Sequence, residues 1–215
     1  MHGQPSFADI VVVTSGTPIA WVQINALRRA LGPFPVIEVL PKPVKRRNRG
    51  LFTELSQLAT GFLLGLRRKS ALRKIETLID AEGLRTGPDL DQYVMRLASA
   101  NNLRFQDTLR RIGPAAVLVI DAGDISPATL NCVEAPFIRY HSSVNPASSA
   151  EFGGYFALAA GDASGFGASL HVIAADGGIG PLVAQQPVPV QKGDNIHTYP
   201  WRIAAHARVM VVRAM

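Results

Sequence analysis

A run of β-branched residues, Ile10-Val11-Val12-Val13, passes directly into Thr14-Ser15-Gly16-Thr17 and then into a helical pattern from Ala20 to Leu31. This stretch restricts the possible folds more than any other. Unbroken Val and Ile suit a strand covered on both faces, as in a parallel sheet, and not a strand with one wet face. A second apolar run, Val36-Ile37-Glu38-Val39-Leu40, closes a βαβ unit with the Ala20 to Leu31 helix as its crossover. The pattern resumes at Asn101, an expected N-cap for an amphipathic helix to Ile112, and Ala115 to Ile120 reads as another buried strand. The expected fold is therefore α/β: a doubly wound, mostly parallel sheet with helices on both faces, of Rossmann type.

Later elements are fainter. Pro127 to Leu130 predicts a short helix, Phe137 to His141 a strand ending in polar residues, and Gly153 to Ala160 a helix. Ser169 to Ile173 and Val188 to Val190 read as strands, and a final helix is expected from Asn195, capped by Asp194 or Asn195, through Met210. In open parallel sheets ligands gather at the carboxyl ends of strands, which would bring Thr14-Ser15-Gly16, Asp121-Ala122-Gly123 and His141 to one cleft.

With 215 residues, 47% of them hydrophobic, the chain has enough apolar material for one sizeable core, and residues 1–215 are expected to form a single domain. A basic helical insertion is expected at about 41–80, with helices near Phe52 to Leu66 and Ser70 to Asp80. Between Lys42 and Lys74 lie ten basic residues and one acid, Glu54, a local charge of +9 in a chain whose total is +6. Three readings stay open for this section. The basic runs can place the Phe52 to Leu66 helix on an anionic membrane surface, can follow an RNA backbone, or can be a solvated loop beside a helix packed on the sheet.

Cys132 is the single cysteine, so an intrachain disulfide is excluded, and it reads as a packing residue. The N-terminal residues lack a basic run followed by an apolar one, and no segment approaches the roughly 20 apolar residues of a membrane span. A cytoplasmic location is expected. Five scattered His with no nearby Cys or acid cluster leave no metal site, and no Walker phosphate loop, full dinucleotide fingerprint or nucleophile elbow is present.

Two places carry chemistry. His141 stands where a strand ends and a loop begins, a position where an imidazole meets ligand while its backbone is held by the sheet. Thr14, Ser15 and Gly16 offer N–H groups and hydroxyls at a helix N-terminus, an arrangement suited to a substrate phosphate.

Four segments in order then become informative: Phe137-Ile138-Arg139-Tyr140-His141-Ser142-Ser143; Gly154-Tyr155-Phe156-Ala157-Leu158 with Gly161-Asp162; Gly167-Ala168-Ser169-Leu170-His171; and Gly180-Pro181-Leu182-Val183-Ala184-Gln185. Together they resemble the formyltransferase family, which includes glycinamide ribonucleotide, methionyl-tRNA and sugar N-formyltransferases. The resemblance is best from about Asn101 to Gln185.

It implies transfer of a formyl group from 10-formyltetrahydrofolate to the amine of a small-molecule substrate. In the family a strand ends in Asn, any residue, His, and a loop beyond a second His supplies an Asp. The His moves protons, the Asn stabilises the oxyanion and the Asp orients the His. His141 matches the catalytic His, Arg139 stands at the Asn position, and Gly178 stands at the Asp position. Asp176, two residues earlier, is the candidate replacement acid, and Arg139 a candidate partner for the oxyanion. Gly177, Gly178, Ile179 and Gly180 are the implied folate contacts, Ser143 a retained substrate-side residue, and His171 a supporting one. Glu151, in the altered loop, is a further candidate partner for His141 or Arg139. Two functions therefore remain: a divergent formyltransferase, and a catalytically inactive formyltransferase-fold protein kept for binding or assembly.

Overall fold

The computed structural model describes residues 9–40, 71–144, 161, 163–192, 194–195 and 197–215. The expected helices at Phe52 to Leu66 and Gly153 to Ala160, and the basic runs from Lys42 to Lys69, lie outside these residues. The opening βαβ unit forms as read: β1 (Ile10–Thr14), α1 (Pro18–Leu31) and β2 (Val36–Val39). Thr17 caps α1 by accepting the Ala20 N–H at 3.2 Å, Pro18 occupies the first turn, and Gly32, at φ 84°, ends the helix in a conformation a side chain would strain.

There follow β3 (Val94–Leu97), α2 (Leu103–Ile112), β4 (Ala116–Ile120), α3 (Pro127–Leu130), β5 (Phe137–His141), β6 (Gly167–Ile173), β7 (Ile179–Pro187) and α4 (Tyr199–Ala214). A helical stretch also covers 71–81, where Ser70 to Asp80 was expected. The seven strands form one sheet in the order β3-β2-β1-β4-β5-β6-β7. Strands β1 to β5 are parallel, whereas β6 and β7 run antiparallel to their neighbours.

Alternation along the strands divides the core in two. Ile10, Val12, Leu118, Ile120, Ile138 and Tyr140 face α1 and α4; Val11, Val13, Val117, Val119 and Phe137 face the opposite layer with Phe105 and Leu109 of α2. The sheet is thus covered on both sides, as the Val-rich strands require. A third cluster seats Leu78 and Ile79 of the 71–81 helix against Val22, Ala204 and Ala205.

Three expectations are corrected. Val188 to Val190 is not a strand: β7 ends at Pro187, and the Val188 N–H instead donates to Phe166 O at 2.9 Å. The helix beginning near Asn101 is capped by Asn102, whose side-chain Oδ1 accepts the Phe105 N–H at 2.8 Å. The last helix begins at Tyr199, because the Asn195 side chain accepts the His197 and Thr198 N–H groups and so closes a turn before the helix proper. Among the described residues no helix is long and apolar enough to cross a membrane.

Candidate functional site

Strand β5 is apolar at Phe137, Ile138 and Tyr140, yet polar at Arg139 and His141. A period of two puts Phe137, Arg139 and His141 on one face, so the guanidinium and the imidazole share it. Parallel pairing with β4 fixes their depth, with Val119 opposite Arg139. Antiparallel pairing with β6 sets His171 beside Arg139 and Ser169 beside His141. His141 and His171 are consequently diagonal neighbours, their rings edge to face with centroids 5.7 Å apart.

His141 is buried, 5% exposed. Burial, then the positive charge of Arg139 and the neighbouring His171, pushes its pKa down to about 4. At neutral pH it is therefore an uncharged imidazole with a free basic nitrogen. His171 is fixed through its ring: Nδ1 donates to Gly180 O at 3.2 Å, because a carbonyl only accepts. Its Nε2 is buried and has no hydrogen-bond partner among the described residues.

Arg139 is anchored by Nη2, which donates to Gly123 O at 2.9 Å, while Nη1 lies 3.8 Å from Asp124 Oδ1, beyond hydrogen-bond range. Its Nε is buried without a hydrogen-bond partner among the described residues. Burial lowers its pKa, and the Asp124 charge opposes that only partly.

The walls of this face are two turns. The segment after β4 carries Asp121 at φ 54°, a left-handed conformation uncommon for a residue with a side chain. Its carboxylate accepts the Thr17 hydroxyl at 2.8 Å, tying the end of β4 to the start of α1. The turn between β6 and β7 packs Gly177, at φ 89°, so that an added Cβ would lie 3.2 Å from Ile125 O. At Gly180 an added Cβ would lie 2.6 Å from Val172 O. The space those two glycines leave is thus taken by the chain's own backbone.

Asp176 is exposed and turned back on its own loop, its Oδ1 accepting the Gly178 N–H at 2.8 Å. Among the described residues no carboxylate hydrogen-bonds or ion-pairs with His141. Ile179 is half-exposed at the start of β7. Ser143 is buried, and its carbonyl accepts the Ser169 hydroxyl at 2.7 Å, which pins the chain just after His141 to β6.

At the mouth of β1, Thr14 is wholly buried and its hydroxyl accepts the Gly16 N–H at 3.0 Å, so it shapes the turn and does not face ligand. Ser15 is half-buried. A Cβ on Gly16 would lie 2.9 Å from the Glu38 carboxyl carbon. Glu38, paired with Arg96 at 3.3 Å, stands on one side of this turn, and Asp121, which accepts the Thr17 hydroxyl, on the other. This mouth is also two strand spacings, about 10 Å, from β5.

No family model matches the sequence, and no curated protein matches it. Solved structures do. Phosphoribosylglycinamide formyltransferase from Anaplasma phagocytophilum superposes with a TM-score of 0.64 at 17% identity, covering 97% of this chain and 85% of its own. Glycinamide ribonucleotide transformylase 1 from Symbiobacterium toebii gives 0.58 at 20% identity, over 100% and 88%. The fold is that of the formyltransferases. A sugar N-formyltransferase from a Shewanella species matches at 0.55 and 12% identity, covering 95% of this chain and 66% of its own. The match to the formyltransferase fold thus extends beyond the segment in which the sequence resembles the family.

Sequence reasoning found His141, Arg139 and His171 and the structure brings them together. It missed Gly123 and Asp124 as the partners of Arg139. It also missed Tyr140, whose buried hydroxyl has no hydrogen-bond partner among the described residues and whose pKa is pushed far up by burial and then by the charge of Asp121. The Asp-Ala-Gly triplet after β4 was the available signal for this loop.

Proposed function

We propose that this protein is a divergent formyl-transfer enzyme working at the β5–β6 face, with His141 as the group that takes the proton. The observation that carries the reading is a buried, neutral imidazole at the carboxyl end of β5 in a formyltransferase fold. An amine attacking a formyl carbon must shed a proton, and negative charge gathers on the formyl oxygen. His141 accepts the proton through its free nitrogen. Arg139, on the same face, meets the developing oxyanion. The donor is assigned as 10-formyltetrahydrofolate, lying along Gly177, Gly178, Ile179 and Gly180. The acceptor is a small amine.

A base with a pKa about 3 units below neutrality is a weak one, and no carboxylate supports it. That observation favours the second reading, a formyltransferase fold that binds without turning over.

The test mixes the protein with 10-formyltetrahydrofolate and a panel of amines and follows tetrahydrofolate release. Release should vanish in His141→Ala and rise in Gly178→Asp. Position 178 has room for that carboxylate, since an added Cβ meets only the movable Asp176 side chain, at 3.0 Å. Folate binding without release in either the parent protein or Gly178→Asp would leave the binding reading in possession.

A further inference from the structure

A guanidinium carries five N–H donors in a planar fork and is always charged. Among the described residues the fork of Arg139 makes one hydrogen bond, to the neutral Gly123 carbonyl. The nearest acid, Asp124, stays at 3.8 Å with its own side chain 99% exposed, while that of Arg139 is only 21% exposed. The charge has been taken out of water without an equivalent partner. Such a cation is costly unless something neutralises it. Its neighbours on the face do not: His141 is uncharged, Asp176 is occupied with Gly178, and Asp121 is held by Thr17. Beside it the buried Nε2 of His171, an acceptor while Nδ1 donates to Gly180 O, also has no hydrogen-bond partner among the described residues. On Arg139 itself, Nε is buried with no hydrogen-bond partner among the described residues, and Nη1 lies 3.8 Å from Asp124 Oδ1, beyond hydrogen-bond range.

We propose that Arg139, flanked by His171 and His141 on the β5–β6 face, is a binding site for a small anion, a carboxylate or phosphoryl group of a small molecule. Carboxylate and phosphate both match the fork, accepting two parallel N–H bonds. Asp124, solvated and free to turn aside, yields its place to the incoming group. The ligand's charge cancels the field that Arg139 exerts on His141, so binding and protonation of His141 reinforce each other, and by linkage the anion binds more tightly as pH falls. The inference rests on the charge balance of the face and not on formyl transfer, so an anion bound in the absence of any turnover would separate the two.

The experiment titrates the His141 ring resonance by NMR in the full chain, with inorganic phosphate and separately with acetate, against chloride at matched ionic strength. Saturable shifts are expected, with a rise in the His141 pKa at saturation. Saturation by phosphate alone identifies a phosphoryl ligand, and by acetate alone a carboxylate. Arg139→Gln should weaken binding about tenfold or more, the loss of a charged hydrogen bond. If that variant does not fold, Arg139→Lys, which keeps the charge and loses the fork, should weaken phosphate and acetate alike. Shifts that chloride reproduces would show screening only and overturn the proposal. So would binding that survives in the Arg139 variants. Glu151→Gln supplies the remaining control: an anion that binds this variant and not the parent would mean that the chain neutralises Arg139 with its own carboxylate.

Discussion

The neutral state of His141 ties folding stability to pH in a way that can be worked out in advance. Folded, the ring resists protonation until about pH 4; unfolded, a histidine takes its proton near 6.5. The group's folded pKa is depressed, and for a base this means that the unfolded state gains protons first as the solution is acidified. The stability is therefore fully present above pH 6.5 and is lost as pH falls from there toward 4. At pH 4.5 the linkage relation gives a loss of about 2.6 kcal/mol, and residual solvent around the ring lowers the expectation to about 2 kcal/mol. The measurement is urea unfolding at pH 7, 6, 5 and 4.5 on the parent chain and on His141→Gln, which cannot titrate. Carboxylates and the other histidines affect both proteins and cancel in the difference. The parent should lose about 2 kcal/mol more than the variant between pH 7 and 4.5, with most of the divergence below pH 6. Parallel curves would refute the claim that burial and Arg139 hold His141 neutral.

Two further outcomes follow from packing. Tyr140→Phe removes a buried hydroxyl that bonds to no group among the described residues, so the variant should be more stable than the parent by about 1 kcal/mol in thermal or urea melts; a comparable loss would reveal a partner for that hydroxyl. Gly167→Ala would set a Cβ 2.2 Å from Gln186 O and 2.9 Å from Pro187 Cα, both backbone atoms of the paired strand, and should cost more than about 2 kcal/mol in the urea midpoint, a loss that Ala163→Gly, outside the strand, does not share.

The first βαβ unit was legible because its signals are local and agree: two β-branched runs with a helical period between them. β3 was missed for the opposite reason. Val94-Met95-Arg96-Leu97 is an edge strand, buried only at Leu97, and its strand character comes from pairing with β2, with Val36 opposite Val94 and Val39 opposite Leu97. β7 contains Gly180 and Pro181, residues that argue against a strand in isolation, and it forms because β6 offers a ladder to it. In the site, the shared face of Arg139 and His141 was readable from the period of two. What Arg139 touches was not, because Gly123 lies on another strand's loop. Nor was the fate of Asp176: its distance in sequence from Gly178 suits a replacement acid, but the same two-residue spacing lets it cap the Gly178 N–H, and the local bond prevails.

The register of β1 against β4 has a consequence for how this chain is made. Ile10 lies opposite Ala116, so the most apolar strand near the start of the sequence finds its central partner about 100 residues later. At about 5–20 residues per second of synthesis, that leaves β1 exposed on the order of ten seconds, with only β2 on offer for pairing. During that interval a Val-rich segment is a template for strands of other chains. The demand on cellular holding factors therefore falls early in translation and ends when β4 emerges, well before the β5–β6 face has been synthesised.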